Sequence, residues 1–207
     1  ETPIIQQPNF HQKHLTLPFA QNYFTWNHVR LPPELLFHPV DLFHFPFYTM
    51  PVVRNYKSIV TIHDITYEVH PEWYSWRGWL AMRFFSRYAA QHADKILTDS
   101  NSTKHDIIKY YGVSEDKIVT IYLGVEERFK KIRDLSALEQ LRAKYRITSP
   151  NVILYVGSIH TRRNIEQLLR AFSMLCQKMP DIQLVIVGKR EYPYLDIQAL
   201  IDELALP

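Results

Sequence analysis

The chain's 207 residues are 46% hydrophobic and 22% charged, enough apolar content to bury a core in one or two ordinary globular domains. With 24 Lys and Arg against 21 Asp and Glu the net charge is +3, and no dense basic run is interleaved with aromatics, which argues against nucleic acid as a partner. The single cysteine, Cys176, excludes an intrachain disulfide, and no apolar run approaches the length needed to span a bilayer.

These properties fit a reducing, cytoplasmic location, and the mild basicity leaves peripheral contact with the inner face of a membrane open. The chain starts at Glu1 and ends at Pro207 just after a helical pattern, so the expectation is an internal piece of a longer protein.

Residues 1 to about 38 are rich in Pro, Gln and His without a sustained period, and read as irregular packing. Val40 to Phe43 is a short strand candidate running into His44-Phe-Pro-Phe-Tyr48. Ser58 to Ile62 is a β-branched run that stops at His63-Asp64. Trp76 to His92 has helical spacing, with Trp79, Leu80, Phe84, Tyr88 and Ala89 on one side. Lys95 to Thr98 is the next strand, followed by Asp99-Ser-Asn-Ser-Thr103 and a helix to Tyr111. Thr103 and Asp106 have capping-box spacing, and Gly112 suits a helix C-terminus. Ile118 to Tyr122 is a further strand, ended by Leu123-Gly124.

A highly charged stretch from Glu126 to Leu135 reads as a linker, and a domain boundary is placed between residues 131 and 132. Ser136 and Glu139 then open a helix. A second β-α-β unit runs from Val152 through Ile165, Leu168, Leu169, Phe172, Leu175 and Cys176 to Leu184–Val187 and Gly188, with a last helix over about 195–204. Strands alternating with helices define an α/β fold of two doubly wound, Rossmann-like domains, residues 1–131 and 132–207, both incomplete in this chain.

In open parallel sheets ligands bind at the carboxyl ends of strands, which selects His44, His63, Asp64, Ser100, Gly124, Gly157 and Gly188. The most informative segment is Gly157-Ser-Ile-His-Thr-Arg-Arg-Asn164, between an apolar strand and an amphipathic helix that Asn164 is placed to cap. A helix N-terminus carries partial positive charge and favours acids, so Arg162 and Arg163 are poorly placed for the helix alone. An anion bound there, held by backbone N–H groups and guanidinium forks, accounts for them; a solvated Arg pair is the competing reading.

His63-Asp64 ends a buried strand, a costly place for polar groups without partners or a cleft. Either His63 hydrogen-bonds a sugar hydroxyl or stabilises developing charge while Asp64 fixes its tautomer, or Asp64 caps the next segment and His63 satisfies a loop carbonyl. His44 and Ser100 read as structural. The ten histidines are scattered, no Asp-x-Asp occurs, and the dinucleotide, P-loop and Gly-x-Ser-x-Gly signatures are absent, so neither a metal nor a cofactor is expected.

Taken in order, these segments resemble the retaining GT-B glycosyltransferases of family 4, also called glycosyl transferases group 1. The likeness covers about residues 31–188: Val-Asp-Leu-Phe-His-Phe-Pro (40–46), Thr-Ile-His-Asp (61–64), Ala-Asp-Lys-Ile-Leu-Thr-Asp-Ser (93–100), Tyr-Gly-Val-Ser-Glu-Asp-Lys-Ile (111–118), Tyr-Leu-Gly-Val (122–125), Tyr-Val-Gly-Ser with Arg-Arg-Asn-Ile (155–165), and Pro-Asp-Ile-Gln-Leu-Val-Ile-Val-Gly (180–188). The resemblance implies two Rossmann-like domains facing across a cleft, the first receiving the acceptor and the second a nucleotide-diphosphate sugar.

It places His63 near the sugar and acceptor, with Asp64 beside it, and Gly157, Arg162, Arg163 and Gly188 around the donor diphosphate. It further implies metal-independent transfer to a glycan or lipid-linked acceptor. Three departures stand out, one being the absence of the Gly-rich loop expected after the first N-terminal strand. Arg163 replaces the commoner lysine, and the Glu-x7-Glu motif that binds the donor's sugar and ribose is not found in these residues, so this piece is expected to be inactive alone. The alternative from another class is a non-catalytic α/β binding or assembly module built on the same scaffold.

Overall fold

The computed structural model describes residues 7–16, 23–190 and 195–206. The chain divides into two compact units, Glu1–Val125 and Glu126–Pro207. The charged stretch read as a linker ahead of residue 132 thus opens the second unit.

Part of the N-terminal stretch expected to be irregular is helical. It comprises α1 (Tyr23–Thr25), a π-helical stretch (Trp26–Arg30) and α2 (Leu31–Phe37). Pro32 and Pro33 lack the N–H groups that would continue an α-helical ladder from the preceding turn. The Leu31 N–H instead reaches back to the Trp26 carbonyl. A wider π turn breaks the 3.6-residue period, which is why no periodic signal shows in the sequence. Leu31 and Leu35 are buried, and buried Asn27 donates from Nδ2 to the Thr49 carbonyl at 3.1 Å.

The first unit is built on four parallel strands in the order β1 (Leu42–Phe45), β2 (Lys57–Thr61), β3 (Lys95–Thr98) and β4 (Ile118–Thr120). Short α3 (Thr66–Val69) and long α4 (Trp76–His92) connect β2 to β3, and α5 (Asn101–Tyr111) connects β3 to β4. Val60, Ile62, Ile96, Ala89, Ala90 and Ile107 are fully buried, and each Val or Ile among them contributes about 1.5–3 kcal/mol through apolar burial. Tyr67 lies within it, where its hydroxyl donates to Ser86 Oγ at 2.5 Å and burial pushes the phenol well above its ordinary pKa.

Local chemistry sets the element ends. Ser75 caps α4, accepting from the Gly78 N–H. Ser100 caps α5, accepting from the Thr103 N–H at 3.1 Å, so the capping box expected at Thr103 and Asp106 lies inside the helix. Gly112 ends α5 at φ +65°, a conformation without steric cost only for glycine. Asp94 ties two strands together: its Oδ2 accepts from the Ser58 N–H at 2.8 Å, which holds the carboxyl below the usual range. On α4, Trp79 and Tyr88 pack inward as expected, but Leu80 and Phe84 are 53% and 60% exposed.

The second unit carries α6 (Leu135–Lys144), parallel strands β5 (Asn151–Val156) and β6 (Ile182–Val187), α7 (Ile165–Cys176) and α8 (Ile197–Glu203). Asp134, not Ser136, caps α6, accepting from the N–H groups of Ser136 and Ala137. Ile165, Leu169 and Phe172 of α7 are buried on the face that the spacing predicts, with Leu168, Leu175 and Cys176 half-buried beside them. No described helix is long and apolar enough to cross a membrane.

Candidate functional site

Polar residues gather at the carboxyl ends of the strands in each unit, where the chain leaves the hydrogen-bonded ladder. In the first unit β2 continues through buried Ile62, whose N–H donates to the Leu97 carbonyl, and delivers His63 to the sheet edge. His63 Nδ1 lies 2.6 Å from Asp99 Oδ2, just past β3, and Nε2 lies 3.0 Å from the carbonyl of Pro46, just past β1. The His63 carbonyl accepts from Thr103 Oγ1 at 2.9 Å. The edge of the Tyr48 ring packs against the imidazole with centroids 5.5 Å apart, and Tyr48 itself has φ 56°.

Asp64 does not hold His63. Its Oδ1 accepts from the backbone N–H and the hydroxyl of Thr66, at 3.0 and 2.7 Å, and its Oδ2 accepts from the Tyr48 hydroxyl at 3.2 Å. Asp64 therefore forms an Asx turn leading into α3, the capping role weighed from the sequence. The carboxylate that sets the imidazole is Asp99, 36 residues further on. His44 sits within β1 and makes a structural contact, Nε2 to Thr61 Oγ1 at 2.8 Å.

In the second unit Gly157 and Gly188 end the paired strands β5 and β6. Their backbones approach so closely that a Cβ on Gly188 would lie 1.7 Å from the Gly157 oxygen. The ladder persists past the glycines, with the Gly157 N–H donating to Val187 and the Ile159 N–H to Lys189. Gly157 itself has φ +159°, and a Cβ there would press on the Tyr155 hydroxyl, which donates to the Ser158 carbonyl.

Arg162 and Arg163 occupy a 3₁₀ turn, Thr161–Arg163, between β5 and α7. The turn is fixed by buried His160, whose Nδ1 accepts from the Arg162 N–H at 3.1 Å. His160 was not singled out in the sequence, although its place in the segment before the Arg pair was visible. Asn164 is left-handed at φ 55° and makes no side-chain cap, so the cap expected of it does not form; the 3₁₀ turn precedes it directly.

Both Arg side chains are exposed, and among the described residues neither guanidinium has an ion pair or hydrogen bond. The acid in the first turn of α7, Glu166, turns instead to Arg170, which also pairs with Glu203. Among the described residues the positive charge at this strand end is thus left without a carboxylate. Among the described residues no three His, Cys, Asp or Glu side chains gather as a metal site.

Each unit is thus a parallel α/β, Rossmann-like fold with polar groups at its strand ends. Residues 3–129 match the family model for Glycosyltransferase Family 4, and residues 138–206 that for Glycosyl transferases group 1. The chain belongs to this glycosyltransferase family.

Among curated proteins it is 28% identical over 134 residues to O-antigen chain mannosyltransferase B of Escherichia coli, covering 65% of this chain and 35% of the relative. Among solved structures it is similar to WaaG, a glycosyltransferase involved in lipopolysaccharide biosynthesis, with TM-score 0.61 and 16% identity over 86% of this chain and 49% of that one. The Anabaena protein HepE, crystallised with UDP-glucose, gives TM-score 0.58 and 18% identity over 86% and 49%. At these identities the structural likeness establishes the fold. The chain spans about a third of the curated relative's length and about half of each solved chain's.

Proposed function

We propose that the protein transfers a sugar from a nucleotide-diphosphate sugar to a glycan or lipid-linked acceptor, with retention of configuration and without a bound metal ion. The observation that carries this reading is the Arg162–Arg163 turn at the end of β5, exposed and without an ion pair among the described residues, within a chain that matches both halves of a glycosyltransferase family. A leaving nucleoside diphosphate gains negative charge as its bond to the sugar breaks. Guanidinium forks placed beforehand at that point lower the barrier, because their charge matches the transition state better than the ground state. Support for the donor and acceptor classes comes from relatives: one is an O-antigen chain mannosyltransferase and another was crystallised with UDP-glucose.

In this reading the donor diphosphate lies at the strand ends marked by Gly157 and Gly188, and His63 is the group assigned to the sugar and acceptor. Asp64 shapes that side through Tyr48 and Thr66. The test is release of nucleoside diphosphate by the complete protein, dependent on a glycan acceptor and unchanged by EDTA. Loss of turnover with EDTA would contradict the metal-free assignment. The 207 residues alone are expected to release none, since the Glu-x7-Glu segment that grips sugar and ribose is not among them.

The same reading places the protein in the cytoplasm, in peripheral contact with the membrane that holds a lipid-linked acceptor. Support lies on α4, which carries Arg77, Arg83 and Arg87 and no acid. Trp76, Leu80 and Phe84 line its outer side; among the described residues Arg83 pairs with Glu68, while Arg77 and Arg87 lie over the rings of Trp76 and Tyr111. Apolar and cationic groups on one exposed helix face suit an anionic lipid surface. The chain is expected to sediment with phosphatidylglycerol vesicles and not with phosphatidylcholine vesicles. Replacing Trp76, Leu80 and Phe84 by Ser should abolish the difference; sedimentation unchanged by the triple substitution would remove this contact.

A further inference from the structure

We propose that Asp99 is the positioning residue for His63, and that the tethered imidazole serves the reaction without taking a proton through either ring nitrogen. The functional half of this proposal rests on the transferase reading above; the structural half does not. The imidazole bridges the carboxyl ends of three successive parallel strands: Pro46 follows β1, His63 follows β2 and Asp99 follows β3. The carbonyl of Pro46 has no proton to give, so the 3.0 Å contact is a hydrogen bond only if His63 Nε2–H donates to it. Nδ1 faces the Asp99 carboxyl at 2.6 Å and is occupied whichever of the two groups carries the proton between them.

Neither nitrogen therefore presents a lone pair to a substrate. A general base needs one within hydrogen-bond reach of the proton it removes. The ring is half-buried, its side chain 35% exposed and that of Asp99 23%, so the tether is partly shielded from water. Thr103 Oγ1 fixes the His63 carbonyl from α5, and the Tyr48 ring packs against the imidazole. What remains for His63 is an oriented ring and main chain at the sheet edge, held there by Asp99. Sequence adjacency had suggested Asp64 for this part, and Asp64 is engaged elsewhere.

Two measurements test this. In the first, the ring ¹⁵N resonances of His63 are read in the 207-residue chain. Nε2 is expected to be protonated in the wild type and to stay so in Asp99→Ala, where the Pro46 carbonyl still accepts from it, while the Nδ1 resonance shifts as its partner is lost. An Nε2 carrying a lone pair in the wild type, or a ring signature unmoved by Asp99→Ala, would overturn the tether. In the second, turnover of the complete protein is compared for Asp99→Ala and Asp99→Asn.

The Ala variant is expected to lower kcat about tenfold to hundredfold, the usual effect of losing a hydrogen bond to a charged group, with little change in donor KM. The Asn variant, whose amide can either accept from or donate to Nδ1, should recover to within about threefold of wild type. An unaltered kcat in Asp99→Ala, or Asn no better than Ala with both variants folded, would overturn the positioning role. If the complete protein transfers no sugar at all, the transferase reading fails and the functional half of the proposal falls with it, while the ring resonances still decide the tether.

Discussion

Gly188→Ala is expected to lower the melting transition of the second unit by about 10 °C or more. The substitution places a Cβ 1.7 Å from the Gly157 oxygen and 2.8 Å from its carbonyl carbon, both main-chain atoms that no rotamer change can move. Relief requires the ends of β5 and β6 to separate, and the N–H bonds from Gly157 to Val187 and from Ile159 to Lys189 would be lost with that movement. Overpacking of this kind typically costs about 1–3 kcal/mol and more where the clash is with backbone. In a unit of this size each kcal/mol moves the midpoint by about 4–8 °C.

Gly124→Ala is the control, since nothing lies within 4 Å of a Cβ there. Thermal unfolding followed by circular dichroism distinguishes them. A Gly188→Ala protein that melts with the wild type would mean that the close approach is not a feature of the folded chain. The variant also reports on function, because the Gly157 carbonyl leads directly into the Ser158–Arg163 segment.

Arg163→Ala in the complete protein is expected to lower turnover about a hundredfold or more while leaving stability close to wild type. The side chain is exposed and unpaired among the described residues, so its removal breaks no folding contact. In the proposed reaction its loss takes one cation from the point where the leaving diphosphate gains charge, and single donors in such positions are worth about 10²–10³ in rate. Arg163→Lys tests geometry against charge: lysine keeps the charge without the planar fork and should recover part of the loss. Initial rates of nucleoside diphosphate release, beside melting curves of the same variants, separate the two effects. Equal rates for Ala and wild type would take the diphosphate away from this turn.

The α/β grammar of the chain was legible because its strands are short apolar runs and its connecting helices keep a 3.6-residue period. Trp76–His92 and the buried face of α7 follow directly from that spacing. The helical segment 23–37 was not legible, since its π turn and two prolines erase the period. Ser100 caps α5, in keeping with its structural reading, but Asp134 rather than Ser136 caps α6, and Asn164 makes no side-chain cap while His160 caps the preceding 3₁₀ turn. Several side chains in each segment have capping chemistry, and only the backbone decides which is used.

The site divides in the same way. Arg162 and Arg163 were visible as a charge anomaly beside a helix N-terminus, a local signal, and their exposed, unpaired state agrees with it. The partner of His63 was invisible, because Asp99 reaches it only through the register that sets Thr61 against Leu97. The reason for Gly188 is also one of register: Val156 pairs with Val187, which brings the two following glycines together.

The central claim is that this family scaffold receives a nucleotide-diphosphate sugar at the Arg162–Arg163 turn. Its most direct test is a calorimetric screen of UDP-, GDP- and ADP-sugars against the complete protein, repeated with an Arg162→Ala/Arg163→Ala variant. One of these donors is expected to bind, with affinity reduced about tenfold or more in the variant. Binding of none, or equal binding by both proteins, would contradict the account.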